Sequence, residues 1–391
     1  MALTTVSSDR LSTNVKNTNF TAAEKQDLTD DILPLAGQLG NRNLIINGAF
    51  QVAQRGTSST STSAYSTVDR FAITISNTDE TPTQAQADVA SGTTPYTLGF
   101  RKSFKITNGN QTSGAGTSDR IVIAQILEAQ NIANSGWNYT STSSYITLSF
   151  WVKSSVAQNF YGYIKTDDGT AQNYPFETGS LTADTWTKIT KTIPGNSNLQ
   201  FDNNNASGLR IHITPFLGTD YTASPTLNTW AAYASGTRTP NQTSTWYTTN
   251  DATFEITGVQ LEVGSVATDF EHRSFAQELA LCQRYFEKSF AYSYAPVQNE
   301  SVSVGYYFMK SEGSQLRSNN IFFKVPKRGN PTMTYFNPYA ANANARLPFS
   351  STDLAGIATN TAGENWFSFH SSDNSPSPTL VHLQWTANAE L

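Results

Sequence analysis

Short segments in which apolar and polar residues alternate recur between residues 44 and 273, and this alternation most constrains the fold. In "YITLSFWVK" (145–153), the even-numbered residues are apolar and fall on one side of an extended chain. The odd-numbered residues from Thr147 to Lys153, Trp151 among them, fall on the other side. About eight or nine such segments follow one another with turn residues and no helix between them. This pattern predicts an antiparallel β-sandwich, and roughly 230 residues with long loops match a jelly roll.

The remaining chain divides into three parts. An apolar stripe at helical spacing predicts a short connecting helix over 274–288, and its members are Phe275, Leu279, Cys282 and Phe286. Residues 289–391 return to strand patterns and are numerous enough for a small C-terminal β domain. Residues 1–43 carry one short helix that begins near Thr21 and Glu24, and they are too few to bury a core.

The predicted fold class is therefore all-β, with four parts. They are an N-terminal attachment arm (1–43), a jelly-roll β-sandwich (44–273), a connecting helix (274–288) and a C-terminal β domain (289–391). An arm without a core of its own is ordered only where it docks on another surface. We expect it to pack either against its own chain or against a partner subunit.

Charge and cysteine usage exclude several kinds of partner. The 391 residues carry a net charge of −5, and no run of five basic residues occurs, so nucleic acid binding through phosphates is not expected. No apolar run approaches the ~20 residues that span a bilayer, and the first residues do not resemble a signal peptide. Cys282 is the only cysteine. We therefore expect synthesis and folding in a reducing cytoplasm, without membrane insertion.

The pattern does not favour an enzyme or a metal site. No pair of histidines has metal-ligand spacing; the four are His212, His272, His370 and His382. Cys282 falls on the apolar stripe and is expected to be a buried small side chain. Paired carboxylates could cut polysaccharide, but the candidates qualify by residue type alone. They are Asp167, Asp168, Glu255, Glu262, Asp269 and Glu271.

Two polar loops carry aromatic residues that suit sugar binding. Aromatic faces can stack on the C–H faces of sugars, while amide and carboxylate groups bond the hydroxyls. The long loop Gly218–Asn250 has no obvious structure, and such loops are usually functional or disordered. The candidate glycan ligands in these loops are Trp137, Tyr139, Trp230, Tyr233, Trp246 and Tyr247. The alternative is that these side chains anchor their loops.

The segment "QLEVGSVATDFEHRSFAQELALCQRYFEKS" (260–289) resembles a motif of phage and prophage tail-fibre and appendage proteins. In those proteins the last jelly-roll strand is followed by a "Q-L-E-x-G-x-x-A-T-x-F-E-x-R" turn and a helix with "E-L-x-x-C-Q-R-Y". "NLIINGAFQVAQRGT", "YITLSFWVKSS" and "VPKRGNPTMTYFNP" also resemble segments of these proteins, so the similarity runs from about residue 43 to the end.

The resemblance implies a bacteriophage virion structural protein that binds a host cell-surface glycan during adsorption. It implies a homotrimer that joins other virion proteins through residues 1–42. The alternative is a structural adaptor or decoration protein that makes only protein contacts. Similar carbohydrate-binding modules can hold a structural calcium near "N-G-x-F", where a carboxylate normally follows. Here Gln51 stands in that place. Calcium favours carboxylate oxygens, so we expect no cofactor and leave structural calcium as the alternative.

Overall fold

The alternating segments form two antiparallel sheets that enclose one core. The computed structural model describes residues 41–301, 304–312, 315–348, 350–373 and 379–391, so the predicted arm and its helix lie almost wholly outside the described residues. The six-stranded sheet contains, in spatial order, β1 (Ser58–Ser59), β4 (Thr83–Asp88), β5 (Lys102–Thr107), β15 (Thr253–Val263), β7 (Tyr145–Ser154) and β10 (Thr187–Pro194).

The second sheet has seven strands. They are, in spatial order, β13 (Ala231–Ala232), β9 (Gln172–Ser180), β8 (Asn159–Thr166), β11 (Ser207–Leu217), β6 (Arg120–Glu128), β3 (Phe71–Ser76) and β2 (Ser63–Ala64). In the adjoining loops, β12 (Thr222–Ala223) pairs in parallel with β14 (Thr239–Pro240). Short helices α1 (Thr94–Thr97), α2 (Ala129–Ala133) and α3 (Thr245–Thr248) and a 3-10 turn (Thr219–Tyr221) also lie in loops.

The core of the sandwich follows the predicted alternation. On β7, Leu148, Phe150 and Val152 are fully buried between the sheets, where they meet Ile164 and Phe176 from the opposite sheet. Non-consecutive strands are neighbours in both sheets, as in a jelly roll. The prediction of an all-β chain built on a jelly-roll sandwich is confirmed.

Residues 286–388 form one further sheet with its own core. It runs in the order β19 (Ile321–Phe322), β24 (Trp366–Ser371), β18 (Gln315–Ser318), β17 (Gly305–Glu312), β25 (Thr379–Asn388), β21 (Ala345–Arg346) and β22 (Asp353–Leu354). Off this path, β16 (Phe286–Lys288) and β20 (Thr332–Phe336) pair with β25, and β23 (Ile357–Ala362) pairs with β24. The core contains Phe367, Phe369 and Trp385.

The connecting helix, α4, spans Phe275–Gln283 and is shorter than the predicted 274–288. Ser274 caps it in a capping box with Gln277, which holds the N3 position. The predicted stripe is split: Cys282 and Phe286 are buried, whereas Phe275 is exposed. Phe286 belongs to β16 instead of the helix, because its backbone pairs with Asn388 of the last strand.

Polar residues of the segment 260–289, which resembles the phage appendage motif, stabilise the turn between the sandwich and α4. The Thr268 backbone amide donates to Glu262 Oε1 (2.9 Å), and the Glu271 amide donates to Gln260 Oε1 (2.8 Å). Arg273 donates to the Ile45 carbonyl (3.0 Å) and pairs with Glu271 (3.2 Å). These contacts hold residues 264–273, called the seam turn below, against residues 43–45 and the end of β15.

A buried ionic contact joins the sandwich to the C-terminal sheet. Glu128, at the end of β6, is fully buried and accepts from Arg284 Nε and Nη2, each at 2.8 Å. The Tyr285 hydroxyl also donates to Glu128 (2.5 Å). Burial alone would raise the pKa of Glu128, but the hydrogen bonds from Arg284 and Tyr285 outweigh it and lower the pKa. Both partners belong to the "C-Q-R-Y" part of the motif.

A second contact runs through the chain's penultimate residue. Glu390 accepts from Arg70, which is almost fully buried, and from Arg55 (3.1 Å). Arg55 also reaches Asp69 (3.3 Å) and lies over the Phe286 ring at 3.7 Å from its centroid. The two β regions are therefore held together by buried, paired charges, which tolerate loss of one partner poorly.

Candidate functional site

Four of the six predicted glycan ligands are buried, which corrects their assignment as stacking platforms. Trp137, Trp230, Trp246 and Tyr247 belong to the sandwich core. Their polar atoms bond to the protein itself: Trp246 Nε1 donates to the Thr253 carbonyl (2.9 Å), and the Tyr247 hydroxyl donates to Asp119 (2.9 Å). The physical reason is that both loops fold back onto the sandwich, where burial of these large apolar rings removes their surface from water.

Tyr139 and Tyr233 remain partly accessible. Tyr139 packs edge-on against Phe201, with ring centroids 5.0 Å apart. Tyr233 lies on the outer side of the seven-stranded sheet, where Lys165 Nζ is 4.9 Å from its ring centroid. The structure does not bring these two residues together with the four buried ones into a single surface, so the predicted set does not form one site.

A groove on the outer face of the six-stranded sheet gathers aromatic and polar side chains that face solvent. Its volume is about 250 Å³. Trp151 of β7 forms one part of its wall, and Phe270 and His272 of the seam turn form another. Trp151 and Phe270 are half-buried, and His272 is exposed. Aromatic faces that are fixed on one side and open on the other can stack on the apolar face of a sugar.

The aromatic wall is fixed by its own packing. Phe100 and Phe270 meet edge-on, with centroids 4.9 Å apart, and His272 lies 5.2 Å from Phe100. One ring nitrogen of His272 is 2.9 Å from the Leu98 carbonyl oxygen, a hydrogen bond in the tautomer that carries its proton there. Gly258 forms part of the floor with φ of +62°, and a Cβ at this position would lie 2.6 Å from the Phe100 ring. Glycine is therefore required for the wall to stand where it does.

Polar groups surround the opening. Lys188 is the cross-strand neighbour of Trp151 and is exposed. Asp269 is exposed on the opposite side, and Ser149 and Thr268 complete the lining. An ammonium group, a carboxylate and hydroxyls around an aromatic wall supply both donors and acceptors for sugar hydroxyls. The volume is below the roughly 300–1,000 Å³ of pockets for drug-sized ligands, so the groove suits one ring of a longer chain.

A buried carboxylate supports the same face. Glu255 of β15 pairs with Lys153 (3.0 Å) and accepts from the Ser103 hydroxyl (3.0 Å). Lys153 also lies 5.2 Å from the centroid of Trp186, a second half-buried indole that packs beside Trp151. The contacts among Glu255, Lys153 and Trp186 fix the orientation of the side chains next to the groove.

Five of the six carboxylates that qualified by type make structural contacts, whereas Asp269 is exposed in the lining of the groove. Asp167 pairs with Lys165 and Arg210, each at 2.5 Å. Burial opposes its charge, but hydrogen bonds from Lys165, Ser207 and Arg210 lower its pKa. Asp168 accepts from the Asp202 amide (2.9 Å), and Glu255, Glu262 and Glu271 have the partners described above. The expectation that the protein is not an enzyme stays a prediction.

The described residues were compared with the requirements of a metal site and of a membrane-spanning helix. Within them, no group of three or more His, Cys, Asp or Glu side chains is placed to hold a metal ion. At the position where a calcium ligand is implied, the Gln51 backbone carbonyl accepts from the Tyr292 hydroxyl (3.2 Å). The expectation of no cofactor, with structural calcium as its alternative, stays a prediction. In the described part of the chain, no helix has the length and apolar character needed to cross a membrane.

Comparison with known proteins gives structural likenesses of low score. The sequence matches no family model and no curated protein. An enzymatically active domain of tailspike protein 4 from bacteriophage CBA120 is 12% identical over 57% of this chain, which covers 21% of the tailspike chain, at a TM-score of 0.30. The CBM22-1–GH10 modules of xylanase 10B from Clostridium thermocellum, complexed with xylohexaose, are 8% identical over 61% of this chain and 31% of that chain, at 0.29. The family 11 carbohydrate-binding module of a Clostridium thermocellum cellulase is 13% identical over 54% of this chain and 95% of that chain, at a TM-score of 0.24.

These TM-scores are low, so the fold and the candidate site rest on this chain's own residues. Trp151, Trp186, Phe270 and His272 were not among the predicted glycan ligands, because none of them lies in the two polar loops. One signal was present: Trp151 falls on the polar side of the alternating segment 145–153. A single aromatic residue on the solvent side of a strand is ordinary, and it indicates a binding surface only where other aromatic residues lie beside it.

Proposed function

We propose that this chain is a bacteriophage tail-fibre or appendage protein that binds a host cell-surface glycan through the groove beside Trp151. The observation that carries the proposal is the combination of Trp151, Phe270 and His272 with Lys188 and Asp269 around one opening. The resemblance of residues 43–391 to phage appendage proteins supports the virion context. In this proposal the protein acts by binding alone, without a cofactor, and is assembled into virions after synthesis in the host cytoplasm.

Binding through so shallow a groove is expected to be weak. A dissociation constant of about 0.1–1 mM corresponds to only about 4–5.5 kcal/mol. Several copies that engage the same cell together can add roughly 10²–10⁴ in avidity. A homotrimer presented several times on a particle would supply these copies.

The test is a glycan array and a whole-cell binding assay with the intact chain and two matched variants. Trp151→Ala removes the stacking surface and should weaken binding about tenfold, which is about 1.4 kcal/mol. Tyr145→Ala is the control, because Tyr145 lies on the same strand and the same face but about 20 Å away along it. Thermal melts of both variants check folding. If Trp151→Ala binds as well as Tyr145→Ala while both melt normally, the groove is not the glycan site.

The alternative, a structural adaptor, has one observation in its favour. Apolar side chains are exposed on α4 and the loop that follows β16, where Phe275 is 43% exposed. The others are Leu281, Tyr292, Tyr294 and Val297. A patch of this kind suits contact with another protein subunit, including the copies of a trimer.

Sedimentation of Phe275→Ser against wild-type protein separates the two roles. Loss of the trimer with retained glycan binding assigns this patch to assembly and the groove to recognition. A chain that stays monomeric at high concentration would remove the homotrimer from the proposal. If the trimeric wild-type protein binds no host surface, the adaptor function replaces adhesion.

The arm enters the proposal as the attachment to the particle. Deleting residues 1–42 should leave a folded protein, because the described contacts of residues 43–391 form one compact unit. The deletion should prevent incorporation into virions, measured by immunoblotting of purified particles. Normal incorporation of the truncated chain would contradict this role.

A further inference from the structure

The long loop that follows β11 closes a pocket against the edge of the seven-stranded sheet. This pocket, called the loop pocket below, has a volume of about 350 Å³. Asn173 and Pro175 of β9 and both residues of β13, the strand at the edge, form part of its wall. Residues 223–226 of the loop form another part. The loop carries four of the predicted glycan ligands, but none of these four aromatic residues lines the pocket.

Buried contacts hold the loop in place beside the pocket. The Asn228 amide donates to the Pro175 carbonyl of β9 (2.8 Å). Trp230 is 8% exposed, and its Nε1 donates to the Pro194 carbonyl (2.8 Å). The indole also lies against Tyr174, with ring centroids 5.1 Å apart. Since the residues on both sides of Trp230 line the pocket, this anchor fixes the shape of the pocket before a ligand binds.

The lining of the loop pocket is neutral. Among the described residues that form it, none carries a charge and none has an aromatic ring. Pro175, Ala231 and Ala232 supply apolar surface, and the exposed Ser224 and Thr226 supply hydroxyl groups. A charged ligand would therefore find no ionic partner in this lining, and a sugar ring would find no aromatic face on which to stack. The lining suits a small neutral group that has both an apolar end and polar atoms.

A buried acceptor without a donor lies in the same wall. Asn173 is 3% exposed, and its Nδ2 donates to the Arg238 carbonyl (3.0 Å) and to the Thr237 carbonyl (3.4 Å). These two carbonyl partners fix the nitrogen on one side of the planar amide, so Oδ1 is on the other side. Oδ1 has no hydrogen-bond partner among the described residues. An unsatisfied buried acceptor costs free energy, which a ligand that brings a donor would recover.

We propose that the loop pocket binds the acetamido group of an N-acetylated amino sugar. The amide N–H of that group supplies the donor that Asn173 Oδ1 lacks. Its carbonyl oxygen accepts from the hydroxyl of Ser224 or Thr226, and its methyl carbon packs on Ala231 and Ala232. A sugar hydroxyl in place of the acetamido group would reach the Asn173 oxygen but would leave the alanine surface uncovered. The pocket therefore selects the acetylated sugar over its hydroxyl counterpart.

The probe is tri-N-acetylchitotriose, with cellotriose as its control. The two trisaccharides share the same linkage and length, and differ only in whether each ring carries an acetamido group or a hydroxyl at the same carbon. Titration of the full-length wild-type protein should give a dissociation constant of about 0.1–1 mM for tri-N-acetylchitotriose, and cellotriose should bind at least about tenfold more weakly. Because the lining is neutral, added salt should leave the affinity unchanged. Equal binding of the two trisaccharides, or an affinity that falls steeply with salt, would overturn the proposal.

Two variants and a matched control locate the site. Ala232→Tyr fills the pocket from an exposed position of β13 and should weaken binding at least about tenfold. The double variant Ser224→Ala, Thr226→Val removes both hydroxyls with little change of volume and should weaken binding about tenfold. Ala234→Tyr makes the first change at an exposed residue of the same loop that does not line the pocket, and it should alter affinity by less than about twofold. Unchanged binding in both pocket variants, with wild-type thermal melting, would overturn the proposal.

Further outcomes separate the loop pocket from the groove and from other ligands. The two cavities share no lining residue, so Trp151→Ala should keep wild-type affinity for tri-N-acetylchitotriose. Loss of binding in that variant alone would move the acetylated ligand to the groove. Glycan binding through the groove by a chain that does not bind tri-N-acetylchitotriose would remove the loop pocket and leave the groove as a site. Equal affinity for a peptide that carries acetyl-lysine would replace the sugar with an acetylated protein. Each of these three results overturns the proposal.

Discussion

The two β regions of this protein differ in how much of their aromatic surface is covered. In the sandwich, each sheet covers the inner face of the other, and even loop residues such as Trp230 and Trp246 are drawn into the shared core. In the C-terminal region, a single sheet places Phe367 and Trp385 on its core side and leaves Tyr306 and Phe308 on an open face. The number of layers that cover an aromatic residue therefore decides its role more than its position in a loop or a strand does.

The largest effect is expected where the comparison places a loop residue in the core. Trp246→Ala should destabilise the sandwich by about 3–5 kcal/mol, because a fully buried indole leaves a cavity. Phe308→Ala, at an exposed position of the other region, should change the free energy of unfolding by only about 0.5 kcal/mol. Denaturant unfolding of both variants gives the two values. Similar losses of unfolding free energy in the two variants would contradict the difference in coverage between the two regions.

A smaller effect is expected at the junction between the regions. Arg284→Ala leaves the Glu128 carboxylate buried without its cationic partner. Breaking a buried pair costs about 3–5 kcal/mol, and because the Arg284 side chain is one-third exposed we expect about 2–3 kcal/mol. The control is Lys102→Ala, which breaks an exposed pair with Asp88 and should cost about 0–1 kcal/mol. Equal losses would mean that the junction does not depend on this contact.

The same junction should respond to acid. The pKa of Glu128 is lowered in the folded state, so its carboxylate stabilises the fold above about pH 4.3, the ordinary pKa of glutamate. This contribution is lost as the pH falls through the lower folded-state pKa. The difference in unfolding free energy between wild type and Arg284→Ala should therefore shrink between about pH 7 and pH 3. A difference that stays constant over this range would exclude a charged Glu128 as its source.

The fold class could be predicted from sequence because alternation is a local signal. Ile146, Leu148, Phe150 and Val152 point inward as their spacing requires. The end of α4 could not be predicted, because the backbone of Phe286 pairs with Asn388, about a hundred residues away. The sequence around residue 286 contains no signal for that pairing.

The site was harder to predict because burial in loops depends on distant strands. The spacing of Trp246 and Tyr247 in a polar loop looks the same whether the loop is open or folded back on Thr253 and Asp119. Trp151 was placed on the correct side of its strand. The groove that it lines also needs Phe270 and His272, which lie more than a hundred residues further along the chain. Sequence reasoning therefore gave the orientation of single residues but not the groups that they form.

The smallest effect is expected at the first residue of β7. Tyr145→Ala should leave both stability and glycan binding near wild-type values, because the ring is exposed and away from the groove. Titration and thermal melting check this expectation. A clear loss of binding in this variant would extend the recognition surface along β7.

We propose that exposed rings of the sandwich surface recognise the glycan, whereas the buried loop rings hold the fold. Hydroxyl-radical footprinting, read by mass spectrometry with and without the polysaccharide selected on the array, separates the two groups of rings. Bound glycan should protect Trp151, Phe270 and His272, with no change at Trp230 or Trp246. Protection confined to Tyr139 and Tyr233, with Trp151 oxidised equally in both samples, would contradict this proposal.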